Sequence, residues 1–75
     1  MTQAERVLEY IKDFGSITPY EAFRDLGLMR LSARIFDLKA QGHNIKTTLT
    51  TSKNRYGEPI RFAVYTLGAD DGTHN

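Results

Sequence analysis

The chain has no cysteine, and that absence removes two chemistries at once. No disulfide can staple the fold and no thiolate can bind a metal, so the domain must be held by burial alone. Long apolar runs are also missing. Nothing approaches the ~20 consecutive apolar residues of a membrane helix, and no charged-then-apolar leader opens the chain. There is no glycine-rich phosphate loop, no nucleophile motif and no pair of carboxylates set to share a pocket. The histidines, His43 and His74, do not fall at metal-ligand spacing with other ligand residue types. These absences argue against an enzyme, imply no cofactor or metal, and fit a small soluble protein of the cytoplasm.

At 75 residues the chain is one domain. A domain of this size buries only roughly 60% of the surface its unfolded form exposes, too little to enclose a substrate pocket easily. Its net charge of +1 conceals a division along the chain. Residues 1–27 carry five acids (Glu5, Glu9, Asp13, Glu21, Asp25) against three bases (Arg6, Lys12, Arg24), a balance of −2. Residues 28–62 carry seven bases (Arg30, Arg34, Lys39, Lys46, Lys53, Arg55, Arg61) against two acids (Asp37, Glu58), a balance of +5. Such polarity points to a polyanionic partner.

Thr2 is set to cap a first helix over 3–14, with Val7, Leu8, Ile11 and Phe14 on its apolar stripe and Gly15 ending it. Thr18-Pro19-Tyr20-Glu21 reads as a capping box with proline at the first helical position. A second helix then covers 19–26, with Ala22, Phe23 and Leu26 inward. Gly27-Leu28-Met29 turns the chain into a third helix over 30–41, whose core stripe is Leu31, Ile35 and Leu38 and whose end is Gly42. Beyond Gly42 the period changes from 3.6 to 2. Residues 45–51 read as one strand, 52–59 (SKNRYGEP) as a polar loop and 60–67 (IRFAVYTL) as a second strand. The inward face of that strand is ambiguous, because Ile60, Phe62 and Val64 compete with Ala63, Tyr65 and Leu67, so either both faces are partly covered or a bulge shifts the phase. Tyr65 and Leu67 are the expected core pair. Ser16-Ile17 can lend one short edge strand. Residues 68–75 show no pattern and are expected to be disordered.

The resulting fold class is α+β: three helices and a C-terminal β-hairpin, with the second and third helices forming a helix-turn-helix and the hairpin its wing. In the phrase ITPYEAF…LG…RLSARIFDLKAQG, the NRYGE wing and the closing Tyr65-x-Leu67 strand, the chain resembles the small winged helix-turn-helix DNA-binding proteins of phages and prophages. The resemblance covers residues 4–67 and places the domain at 1–67. It implies double-stranded DNA as the partner, in transcriptional or recombination control.

On a helical wheel Arg30, Ala33, Asp37 and Ala40 lie opposite the core stripe of the third helix. Ser32 and Phe36 flank one edge of that face, Arg34 and Gln41 the other. Small residues such as Ser32 and Ala33 allow close approach in a major groove, and Arg30 is placed to reach base edges. Two readings stand for Arg34, a DNA contact or an intrahelical pair with Asp37. Lys39 reads as a solvated cation near the helix C-terminus, and Phe36 as packed under the wing or the second helix, with an exposed aromatic hot spot as the competing reading. In the wing, Lys53, Asn54 and Arg55 are candidate phosphate or minor-groove contacts, extended by Lys46 and Arg61. A merely solvated hairpin tip is the competing reading. Tyr56 is placed either to meet a sugar-phosphate or to fold back on the hairpin. Thr18 and Tyr20 lie where amide donors meet phosphates, although capping suffices for Thr18.

Two other functions fit the same frame. One is a protein-interaction module docking a host or phage protein, as an anti-host factor would. The other is an excisionase-like architectural factor that bends DNA. No heptad or surplus helix is present for dimerisation, so a monomer is expected.

Overall fold

The computed structural model describes residues 1–68. Their elements are α1 (Gln3–Phe14), α2 (Pro19–Leu26), α3 (Leu31–Ala40), β1 (Ile45–Lys53) and β2 (Pro59–Leu67). The first two helices begin and end where their caps require. Thr2 Oγ accepts from the Glu5 N–H at 3.1 Å, while a Glu5 carboxylate oxygen accepts from the Thr2 N–H at 2.7 Å. Thr18 and Glu21 repeat this reciprocal box at 3.2 and 3.0 Å. α3 is one residue shorter at each end than the sequence suggests, and the strands run further into the loop, leaving a tip of 54–58.

The helix-turn-helix is closed by Gly27, whose φ of 66° is strained for any residue with a Cβ. Its N–H donates to the Phe23 carbonyl at 3.0 Å, and the Leu28 N–H donates to the Ala22 carbonyl at 3.1 Å. These bonds turn Leu28 inward, so this residue belongs to the core and is only 5% exposed. An apolar residue directly after a helix-ending glycine is the signal for that burial.

α1 supplies Ala4, Val7, Tyr10 and Ile11 to the core, and α3 supplies Leu31, Ile35 and Leu38. Ile17, Ala22 and Ile45 complete it. β1 and β2 pair antiparallel without interruption, from Ile45 opposite Leu67 to Lys53 opposite Pro59. The expected short edge is a single bridge: Ile17 donates to the Tyr65 carbonyl at 3.0 Å and Tyr65 donates back at 2.9 Å. The unbroken register leaves no bulge. Ile45, Tyr65 and Leu67 share the face that meets the core, where Tyr65 and Leu67 are half-buried. Ile60, Phe62 and Val64 lie on the other face, with Ile60 exposed.

Two aromatic residues correct the sequence reading. Phe14 is exposed at the end of α1, where its ring lies 4.7 Å from that of Tyr10 and shields only the edge of the core. Phe23 is also exposed. It sits about 100° of helical rotation from the buried Ala22, and the short α2 presents a narrow apolar stripe. Gly68, the first residue of the expected tail, is buried and donates to the Asn44 carbonyl at 2.6 Å. The rest of the expected disordered tail lies outside the described residues.

Candidate nucleic-acid interface

The open face of α3 is set by what covers the rest of it. Leu31, Ile35 and Leu38 enter the core. On one flank the Arg34 Nε donates to Asp37 at 2.9 Å and its terminal nitrogen donates to the Gln3 side chain at 3.0 Å. The intrahelical pair is thus the arrangement observed, and the bond to Gln3 ties α3 to the start of α1. Asp37 and Ala33 are half-buried in consequence of their place beside or near that flank. The exposed stripe is therefore Ser32, Phe36 and Lys39, at one-turn intervals, with Ala40 beside it. The stripe expected from the wheel, through Arg30, Ala33, Asp37 and Ala40, is rotated toward Phe36. Phe36 packs under neither the wing nor α2; it is 71% exposed.

Arg30 sits one residue before α3, at the N-cap, rather than within its first turn. Its backbone (φ −119°, ψ 67°) is not the extended form found at Thr2 and Thr18, and its side chain makes no capping bond. The leading N–H groups of α3 thus lack the side-chain acceptor that α1 and α2 possess. Uncapped amides of this kind, with the positive end of the helix dipole, favour an anion. The Arg30 side chain is exposed at the same end.

The wing tip is shaped by Asn54. Its side-chain oxygen accepts from the Tyr56 N–H at 2.9 Å and from the Glu58 N–H at 3.0 Å, while its amide nitrogen donates to the Glu58 carboxylate at 2.9 Å. Asn54 is thus engaged in the turn, and what projects from it is Arg55 and Tyr56, the latter 84% exposed and not folded back on the hairpin. Alternation along the ribbon sorts the other cations. Lys53 (opposite Pro59) and Arg61 (opposite Thr51) share one face near the tip, whereas Lys46 (opposite Thr66) lies on the other face near the root. Lys46 and Arg61 do not form one strip.

Charge is handled differently in the two halves. In the acidic half, Arg24 grips Asp25 at 2.6 and 2.8 Å, and the buried Tyr10 hydroxyl donates to the same carboxylate at 2.6 Å. The guanidinium first, and then the hydroxyl, hold the Asp25 carboxyl down at about 2. The Arg24 guanidinium is pushed up by the same pairing, and the Tyr10 phenol is pushed up because its hydroxyl donates a hydrogen bond to the carboxylate. Arg24 also lies 5.2 Å over the Tyr20 ring, and Thr18 is occupied as a cap. In the basic half, Arg34 alone of seven cations forms an ion pair among the described residues. Six cations remain for something else. Sequence reasoning favoured packing over exposure for Phe36, because the covering of the Arg34 flank depends on a contact 31 residues away.

Among the described residues no helix is long and apolar enough to cross a membrane. No curated protein and no solved structure matches the chain. A family model for the winged helix-turn-helix domain matches residues 2–70. With α2 and α3 joined through Gly27, the β1–β2 hairpin following, and that match spanning nearly its whole length, the chain belongs to the winged helix-turn-helix domain family.

Proposed function

We propose that this protein binds double-stranded DNA, with α3 in the major groove and the wing at 52–59 on the phosphate backbone or in the minor groove. The observation that carries this reading is the set of unpaired cations at the start of α3 and on the wing, in a family whose fold suggests DNA binding. Arg30 reaches base edges or the flanking phosphate, and Ser32 and Ala33 permit close approach. Lys53, Arg55 and Arg61 meet phosphates, and Tyr56 meets a sugar-phosphate. Lys46 adds a more distant phosphate contact. Asn54 shapes the wing, and Arg34 fixes the angle between α1 and α3. The resemblance of RLSARIFDLKAQG and NRYGE to phage proteins supports a role as a phage or prophage transcriptional regulator or recombination accessory factor, acting in the cytoplasm as a monomer.

Selection of bound fragments from random duplex, followed by anisotropy titrations over a salt series, tests the proposal. A selected site is expected to bind more tightly than scrambled DNA, with affinity falling linearly in log–log salt. No duplex binding at ~50 mM salt, where phosphate contacts are strong, overturns it. DNA bending with tandem sites would identify an excisionase-like architectural factor. A second reading has one specific observation in its favour. An open cleft of about 650 Å³ between the start of α2 and β2 is bordered by Pro19, Tyr20, Ile60 and Phe62, a surface suited to docking a host or phage protein. Failure to be retained on heparin, together with no shift of random duplex, favours that reading.

A further inference from the structure

The middle of the open face of α3 is occupied by a phenyl ring. Phe36 is 71% exposed, and it lies one turn after Ser32 and just under one turn before Lys39, both exposed. Of the other exposed aromatics on the helices, Phe14 leans on Tyr10 and Tyr20 lies under Arg24, whereas Phe23 makes no such contact among the described residues. No ring or cation contact of that kind involves Phe36 among the described residues. Its position is nevertheless fixed, because Ile35 is buried and Arg34, paired with Asp37 within the helix, bonds Gln3 and holds α3 against α1. Rotation of α3 to hide the ring would expose Ile35 or break the bond to Gln3.

This inference rests on the DNA-binding reading of α3 and names what the helix recognises. An α-helix fits the major groove, whose floor is lined by hydrogen-bonding atoms with one apolar group, the C5-methyl of thymine. A phenyl ring offers no hydrogen bond to the other base edges and gains by excluding water from that methyl. Ser32 and Lys39, one turn to either side, supply a hydroxyl and an ammonium for the polar atoms or phosphates around it. We propose that Phe36 is a specificity-determining residue that reads thymine by covering its C5-methyl group in the major groove.

The test removes the methyl and nothing else. In the duplex selected by the wild type, each thymine is replaced in turn by deoxyuridine, which keeps every hydrogen-bonding atom. Affinities are measured by anisotropy at ~50 mM salt, where phosphate contacts keep weakened variants bound, for wild type, Phe36→Ala and Phe36→Leu, with folding checked by circular dichroism. For the wild type, one or two positions are expected to lose roughly four-fold on replacement, the factor equivalent to ~0.8 kcal/mol for one buried CH₂-sized group. Phe36→Ala is expected to bind thymine and deoxyuridine duplexes alike at those positions, and Phe36→Leu to keep part of the difference. Insensitivity of the wild type to every replacement overturns the proposal while leaving DNA binding intact. Undiminished sensitivity in Phe36→Ala does the same. Absence of any wild-type duplex binding removes the DNA reading and this inference together, and moves Phe36 to a protein-docking surface.

Discussion

α2 and α3 are adjacent helices of similar length, yet one is completed from within and the other is not. α2 begins with a reciprocal capping box, and its only cation is held by the neighbouring carboxylate. Tyr10 of α1 bonds that carboxylate and fastens α2 to the body. α3 begins at Arg30 without a side-chain cap, and it turns a serine, a phenylalanine and a lysine to solvent. A helix whose ends and charges are satisfied internally serves as a support. A helix left with amide donors, a positive end and an open face has capacity for a ligand. The division is the physical basis for proposing α2 as scaffold and α3 as reader.

The sharpest way to break this comparison is to attack the buried side of α3. Ile35→Ala or Leu38→Ala is expected to cost ~2–5 kcal/mol through lost burial and the cavity left behind. That is most of what so small a core provides, so thermal melts by circular dichroism are expected to show a largely unfolded protein. Phe36→Ala, two residues from Leu38 but on the open face, is expected to leave the melt within ~0.5 kcal/mol of wild type, as surface substitutions do. Equal losses at positions 35 and 36 would contradict the orientation of α3.

The next effect separates the two helix starts. Arg30→Ala is expected to lose ~1–3 kcal/mol on the selected DNA site, with a much smaller loss on random duplex, if it contacts a base. Its thermal stability is expected to stay near wild type, since the side chain forms no cap. Thr18→Ala is expected to do the reverse, lowering stability by ~1 kcal/mol through loss of the cap and changing discrimination between DNA sites little. A drop in stability for Arg30→Ala comparable to that for Thr18→Ala would erase the distinction.

Wing cations carry smaller individual effects. Lys53→Ala and Arg55→Ala are each expected to weaken specific and random duplex by similar factors and to flatten the log–log salt slope by ~1 unit. Lys46→Ala, on the opposite face at the ribbon root, is expected to change the slope less. A sequence-dependent loss for Lys53 or Arg55 would make the wing a reader.

The smallest effect is the pH response of the scaffold. Because the folded-state carboxyl of Asp25 is held at about 2, below its ordinary value of 3.8, the charged form is favoured by folding. Its contribution is present above the ordinary value and disappears as pH falls from about 4 to about 2. The carboxyl is partly open to solvent, so the change is modest. Melts of Asp25→Asn are expected to be less steeply acid-dependent than wild type across that interval, and an identical dependence would show that the Arg24–Tyr10 grip does not persist in solution.

The elements are legible from residue order, because their ends are written in local chemistry. Threonine three residues before glutamate set the starts of α1 and α2, positive-φ glycines ended them, and the change of period after Gly42 announced the hairpin. The resemblance carried by the third helix and the wing likewise needed only residue order. Tertiary structure decided which surfaces remained open. A wheel drawn from Leu31, Ile35 and Leu38 locates the buried direction of α3, but not the second covering, by α1 through Gln3 and Arg34, that turns its open face toward Phe36. Similarly, only the pairing of β1 with β2 separates Lys46 from Lys53 and Arg61, and only the folded tip shows Asn54 bonded to Tyr56 and Glu58. The physical reason is the range of the interactions: caps, glycine conformations and periodicity act within about one helical turn, while exposure depends on every element packed alongside.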